Sequence, residues 1–177
     1  MIPSLPRAID ILRVKALPRA RRLGWRWAPW LILLAALALR LYGLDWAQGK
    51  LYHPDERAVL MKVDETSFPP PSRVSSLLDA DKSPLNPRWF PYGTLPMYLV
   101  EIVQTASSPM TRLDTYDLRL PGRLLSALAD VGTVMAVMAL ATRLYGRRVG
   151  LLASALTTMA VVHVQLAHFL AVDTFLT

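Results

Sequence analysis

The sequence predicts an all-α membrane protein with about three spans and one large polar loop. Three observations carry this prediction. Apolar residues gather into three runs, 25–44, 124–141 and 149–169, each close to the roughly 20 residues a helix needs to cross the hydrocarbon core. Basic residues concentrate in two short segments outside those runs. Residues 45–122, between the first two runs, are polar and rich in proline.

Composition alone would not decide the class, because 177 residues with 53% hydrophobic content is also enough for a soluble core. The clustering decides it. The first 27 residues carry Arg7, Arg13, Lys15, Arg19, Arg21, Arg22 and Arg26 against Asp10 alone, and the turn between the second and third runs carries Arg143, Arg147 and Arg148. Residues 45–122 hold eight Lys/Arg against ten acids. By the positive-inside rule the N-terminal segment 1–24 and the 143–148 turn face the cytoplasm, and 45–122 and the last residues lie outside. A net charge of +7 distributed in this way points to membrane lipid and away from nucleic acid. The chain has no cysteine, which excludes disulfides and thiolate chemistry.

In chain order, the first 22 residues intersperse Ile9, Leu12, Val14 and Leu17 among basic residues, the pattern of a surface-lying amphipathic helix or a basic tail. The first run is a span ending at Arg40 and Tyr42. A cleaved signal peptide with its site at Ala36–Ala38 is the rival, disfavoured by the long basic region. Pro54, Asp55 and Glu56 then open a helix expected over 54–65, since proline suits the first helical position and acids suit the first turn. Residues 68–87, with PPPS and SPLNP, read as extended loop. Thr94 and Pro96 begin an interfacial or re-entrant helix. The second span contains Asp130, and the third is its antiparallel neighbour across the Leu144–Arg148 turn. The sequence stops in apolar DTFLT, which reads as the end of a fragment.

Candidate chemistry rests on the outer acids. A carboxylate at Asp55 or Glu56 is placed to take a proton from a hydroxyl arriving from outside; the same acids serve equally as a stable helix start. Asp173 returns to that face after the third span. Asp130 is expected in a structural ion pair with Arg123, seven residues earlier, or with Arg40. His163 and His168, five residues apart, suit interfacial hydrogen bonding better than a shared metal. Trp25, Trp27, Trp30, Tyr42 and Trp46 need be no more than interface anchors. No phosphate-binding loop, dinucleotide fingerprint, serine elbow or zinc motif is present.

Taken together, LRLYGL after the first span, HPDE in the loop, FPYGTLPMYL, RLLSALADVGTV in the second span and QLAHFLAVDTFLT after the third resemble the GT-C class of integral-membrane glycosyltransferases. The resemblance is in particular to the branch of the protein O-mannosyltransferases and lipid A aminoarabinose transferases, and it runs over most of 35–177. The resemblance implies that residues 25–177 form the N-terminal part of a transmembrane domain that transfers a sugar from a polyprenyl-phosphate donor to a protein, lipid or glycan acceptor, with inversion. It implies Asp55 as the base, Glu56 as a residue holding the acceptor and Asp173 as the second outer acid, with a divalent metal left open. Arg40 and Arg123 are expected near the leaving phosphate, and His53, Tyr92 and His168, which stand within these motifs, are further candidate substrate contacts. Later loops and helices of the class are missing, so the fragment is expected to be inactive alone. The alternatives are a non-enzymatic membrane scaffold, in which the acids only cap helices and pair with arginines, and a transporter fragment with Asp130 as its ion site.

Overall fold

A computed structural model describes residues 19–107 and 113–176, with side chains from Arg26 onward. Among these residues the chain is all-helical, without a strand. The amphipathic pattern of the first 22 residues falls almost entirely outside them.

The first expected span forms α1, Arg19–Leu41. The loop helix forms as α2, Pro54–Asp64, with Pro54 in its first turn beside Asp55 and Glu56, and Glu65 capping its end. Residues 68–87 are more ordered than the prolines suggested: Pro71–Leu78 is a 3-10 segment. Pro71 occupies a starting position where its missing N–H costs nothing, and the Ser76 hydroxyl donates to the Arg73 carbonyl at 2.7 Å. Next come α3, Leu95–Ser107, and α4, Arg119–Tyr145. Gly146, at φ +87°, joins α4 to α5, Arg147–Met159, in an antiparallel turn. Glycine is suited to this backbone conformation because it has no Cβ.

The third expected span, 149–169, is not one helix. It breaks at Ala160, which is extended (φ −65°, ψ 113°), leaving the 13-residue α5 and the six-residue α6, Val161–Leu166. No glycine or proline causes the break. The side-chain contacts around it do: Arg40 Nη1 donates to the Thr158 carbonyl at 3.2 Å, and His163 turns onto Asp130. The short α7, Asp173–Leu176, follows. Among the described residues α4 alone is long and apolar enough to cross a membrane.

The structure has two layers with opposite packing. In the loop layer Val59, Leu60 and Val63 of α2 meet Met97 and Val100 of α3, together with Leu118 and Leu170, in an apolar core. The layer of α1, α4 and α5 buries Ala36, Ser126, Ala127, Asp130, Gly150, Ser154 and Thr158. Its large apolar side chains point outward, with Leu152 61%, Leu156 63% and Met159 73% exposed. Small residues in the seam let two helices approach closely in the manner of helix pairs in lipid. At Gly150 the approach is so close that a Cβ would meet the Thr142 hydroxyl and stand 2.9 Å from the Met138 carbonyl oxygen.

Candidate active site

Asp55 and Glu56 are consecutive in the first turn of α2, yet their surroundings differ completely. Glu56 is fully buried. Its carboxylate accepts from Arg123 Nε at 2.7 Å and from Arg123 Nη2 at 2.8 Å, the paired geometry in which a guanidinium binds a carboxylate most strongly. It also accepts the Leu170 backbone N–H at 3.3 Å. Arg123 is completed by the Leu44 carbonyl at 3.0 Å and stands 5.8 Å from the Trp46 ring centroid. Glu56 therefore ties together α2, α4, the end of α1's following turn and the segment before α7.

Asp55 is only half-buried, and its side-chain partner among the described residues is Tyr92, whose hydroxyl donates to Oδ1 at 2.8 Å. Tyr92 is held edge-on against Trp89, with centroids 5.2 Å apart. Its phenol pKa is raised, first because ionisation would break the bond to Asp55, then through desolvation and repulsion by the Asp55 charge. The phenol thus remains a donor to Asp55.

Two arginines expected near a leaving phosphate are differently employed. Arg123 is enclosed with Glu56, as above. Arg40, also fully buried, forms an ion pair through Nε with Asp130 and uses Nη1 on the carbonyls of Ala36 and Thr158, both at 3.2 Å. Neither guanidinium has surface to offer a ligand. Lys50 and Arg57, five residues before Asp55 and two after it, are exposed. Asp130 does sit in an ion pair, and its partner is Arg40: Arg123, two turns before it on α4, is directed to the loop acid.

The remaining candidates separate into different places. The Asp130 carboxylate also accepts from His163 Nδ1 at 2.6 Å. Asp130 and His163 share a cleft of about 120 Å³ with Val162, Leu166, Asp173 and Thr174. Asp173 is exposed, and no hydrogen bond or ion pair among the described residues joins it to Asp55. His168 brings both ring nitrogens to carbonyls, Nδ1 to Val164 at 2.6 Å and Nε2 to Tyr42 at 2.9 Å, so it binds the helix end to the turn after α1. The His53 ring lies 4.7 Å from that of Phe169. Among the described residues no group of three or more His, Asp or Glu side chains is gathered for a metal.

Sequence reasoning missed His163 as the partner of Asp130. The signal was present: Asp130 lies sixteen residues before Gly146 and His163 seventeen after it, so an antiparallel turn at Gly146 brings them to one level. It also missed the pair of Arg119 Nη2 with Asp45 at 2.6 Å, which pins the start of α4 to the turn after α1. Compared with protein-family models, with curated proteins and with solved structures, the chain matches none.

Proposed function

We propose that this protein acts as a multi-span membrane glycosyltransferase, moving a sugar from a polyprenyl-phosphate carrier to an acceptor hydroxyl on the non-cytoplasmic face. Asp55 is the base: it takes the acceptor's proton as the acceptor oxygen bonds to the anomeric carbon. The bond from that carbon to the carrier phosphate breaks on the opposite side, with inversion. The observation that supports the reading best is the division between the two neighbouring acids. Glu56 is consumed by Arg123, whereas Asp55 is half-buried and held in orientation by the Tyr92 hydroxyl, as suits a general base. Lys50 and Arg57, near Asp55 in the sequence and exposed, are the cations we assign to stabilising charge on the departing phosphate. The inside-out packing of α4 and α5 supports a hairpin in lipid, with α1 as a further span and residues 45–122 outside.

The test is Asp55→Asn in the full protein expressed from its gene, assayed with a polyprenyl-phosphate sugar in membranes. Turnover should fall by about a hundredfold or more with the thermal midpoint unchanged. Turnover at the wild-type rate removes Asp55 as the base. A wild-type protein that transfers nothing but co-purifies with a stoichiometric membrane partner supports the scaffold alternative.

A further inference from the structure

At the end of the helical layer remote from Asp55, α1, α4 and α5 enclose an elongated groove of about 530 Å³. Its walls are apolar, from Leu33 on α1, Met135 and Met138 on α4 and Leu151 on α5, and Arg143 and Arg147 stand at one end. Between Asp130 and Asp173 the sequence has three arginines, 143, 147 and 148, and no acid. The hairpin therefore supplies no carboxylate of its own to this end, and no described residue forms a salt bridge with Arg143, which is exposed.

We infer that this groove binds an anionic phospholipid, with one acyl chain against the Met138 and Leu151 walls and the phosphate on Arg143. The inference rests on the membrane reading of α4 and α5, and three features support it. Twenty residues separate Arg123 from Arg143 along one continuous helix, which is about 30 Å of rise, the thickness of the hydrocarbon core. Arg143 then stands at headgroup depth when Arg123 stands at the opposite boundary. Basic residues at such a level between spans are suited to acidic headgroups. The two methionines give the walls flexible side chains that adapt to an acyl chain. A free phosphate would use Arg143 and leave the apolar walls uncovered, and a zwitterionic lipid would use the walls and leave the Arg143 charge unbalanced. The site is distinct from that of the sugar donor, because it lies at the far end of α4 from Asp55.

The experiment uses the full chain purified in a neutral detergent, with binding of phosphatidylglycerol and of phosphatidylcholine measured by native mass spectrometry. Phosphatidylglycerol should bind more tightly, and Arg143→Gln should weaken it about fivefold without affecting phosphatidylcholine. Arg143→Lys should keep most of the preference. Leu33→Trp, which fills the groove and leaves every charge in place, should weaken binding of both lipids, and inorganic phosphate should not compete. Equal affinity for the two lipids, or an undiminished preference in Arg143→Gln, overturns the inference. Resistance of the chain to alkaline extraction from membranes is the separate readout: if the chain is released without detergent, the membrane reading itself fails. If it is retained but shows no lipid preference, only the groove assignment fails.

Discussion

Glu56→Gln is the perturbation that best separates a structural acid from a catalytic one. The wild-type carboxylate accepts two charged N–H bonds from Arg123 and one from Leu170, all within a volume from which water is excluded. The amide cannot balance the guanidinium charge, and its NH₂ must face one of these donors. Arg123 retains the Leu44 carbonyl and the Trp46 ring, neither of which carries a charge. Breaking one partner of a buried pair costs about 3–5 kcal/mol, which for a chain of this size is a fall of roughly 6–20 °C in thermal midpoint. The assay is thermal unfolding in detergent followed by tryptophan fluorescence, with Trp46 beside Arg123 as an internal reporter. Glu56→Leu with Arg123→Met, which removes both charges, should recover most of the loss, since apolar replacement of a whole buried pair is often neutral. In the full protein, on the transferase reading proposed above, turnover per folded molecule should stay within a few-fold of wild type. A Glu56→Gln protein that melts like wild type and loses only turnover would refute this and restore Glu56 to acceptor binding.

Three further outcomes follow from the same geometry. Arg40→Lys keeps the charge near Asp130 and loses the guanidinium bonds to the Ala36 and Thr158 carbonyls; at about 1.5–3 kcal/mol for a hydrogen bond to a charged group, the melting point should fall and amide exchange should rise on both sides of Ala160. Gly150→Ala should loosen the α4–α5 hairpin, seen as slower disulfide trapping between cysteines placed on the two helices. Adding Thr142→Ala should rescue it only in part, because the Met138 carbonyl stays 2.9 Å from the new methyl. Tyr92 has a raised folded pKa, so its bond to Asp55 is fully present below the ordinary tyrosine value of about 10 and is lost as pH rises through the folded value. Ultraviolet titration should show one late-ionising tyrosine that disappears in Tyr92→Phe and shifts down in Asp55→Asn.

The helical class, the start of α2 at Pro54 and the Leu144–Arg148 turn were legible because each is local: hydrophobic runs, a proline at a first turn and a short basic gap between two apolar runs. The pairing of charges was legible only in part: Arg40 was one of two partners expected for Asp130, and it is the one found. Arg123 and Asp130 share a helix, which suggested partnership, but seven residues are two turns and about 10 Å of rise, and Arg123 meets a loop acid first. The break at Ala160 was equally hidden, because Met159, Ala160 and Val161 belong to an unbroken apolar run. The break is held by Arg40 and His163 acting from the side, and a local pattern carries no record of contacts from other helices. The Glu56–Arg123 and Asp55–Tyr92 contacts were therefore not legible, although all four residues stood among the candidates.

That division follows from helix geometry once the position of α4 is known. Neighbouring residues on an α-helix project about 100° apart, so two adjacent acids in a first turn cannot both face the same wall. Where the Arg123 side chain of α4 reaches the first turn of α2, one acid points toward it and the other away. A buried carboxylate is tolerable only with a cation beside it, and Arg123 fills that place for Glu56. The outward acid is then free of the arginine, and the one group reaching it, the Tyr92 hydroxyl, orients it without neutralising it. A reversal of roles would require α4 to present its arginine from the other side of α2. The Asp45–Arg119 pair, one turn before Arg123 on α4, opposes that rotation, so the residues that fix the start of α4 also decide which acid is available for chemistry.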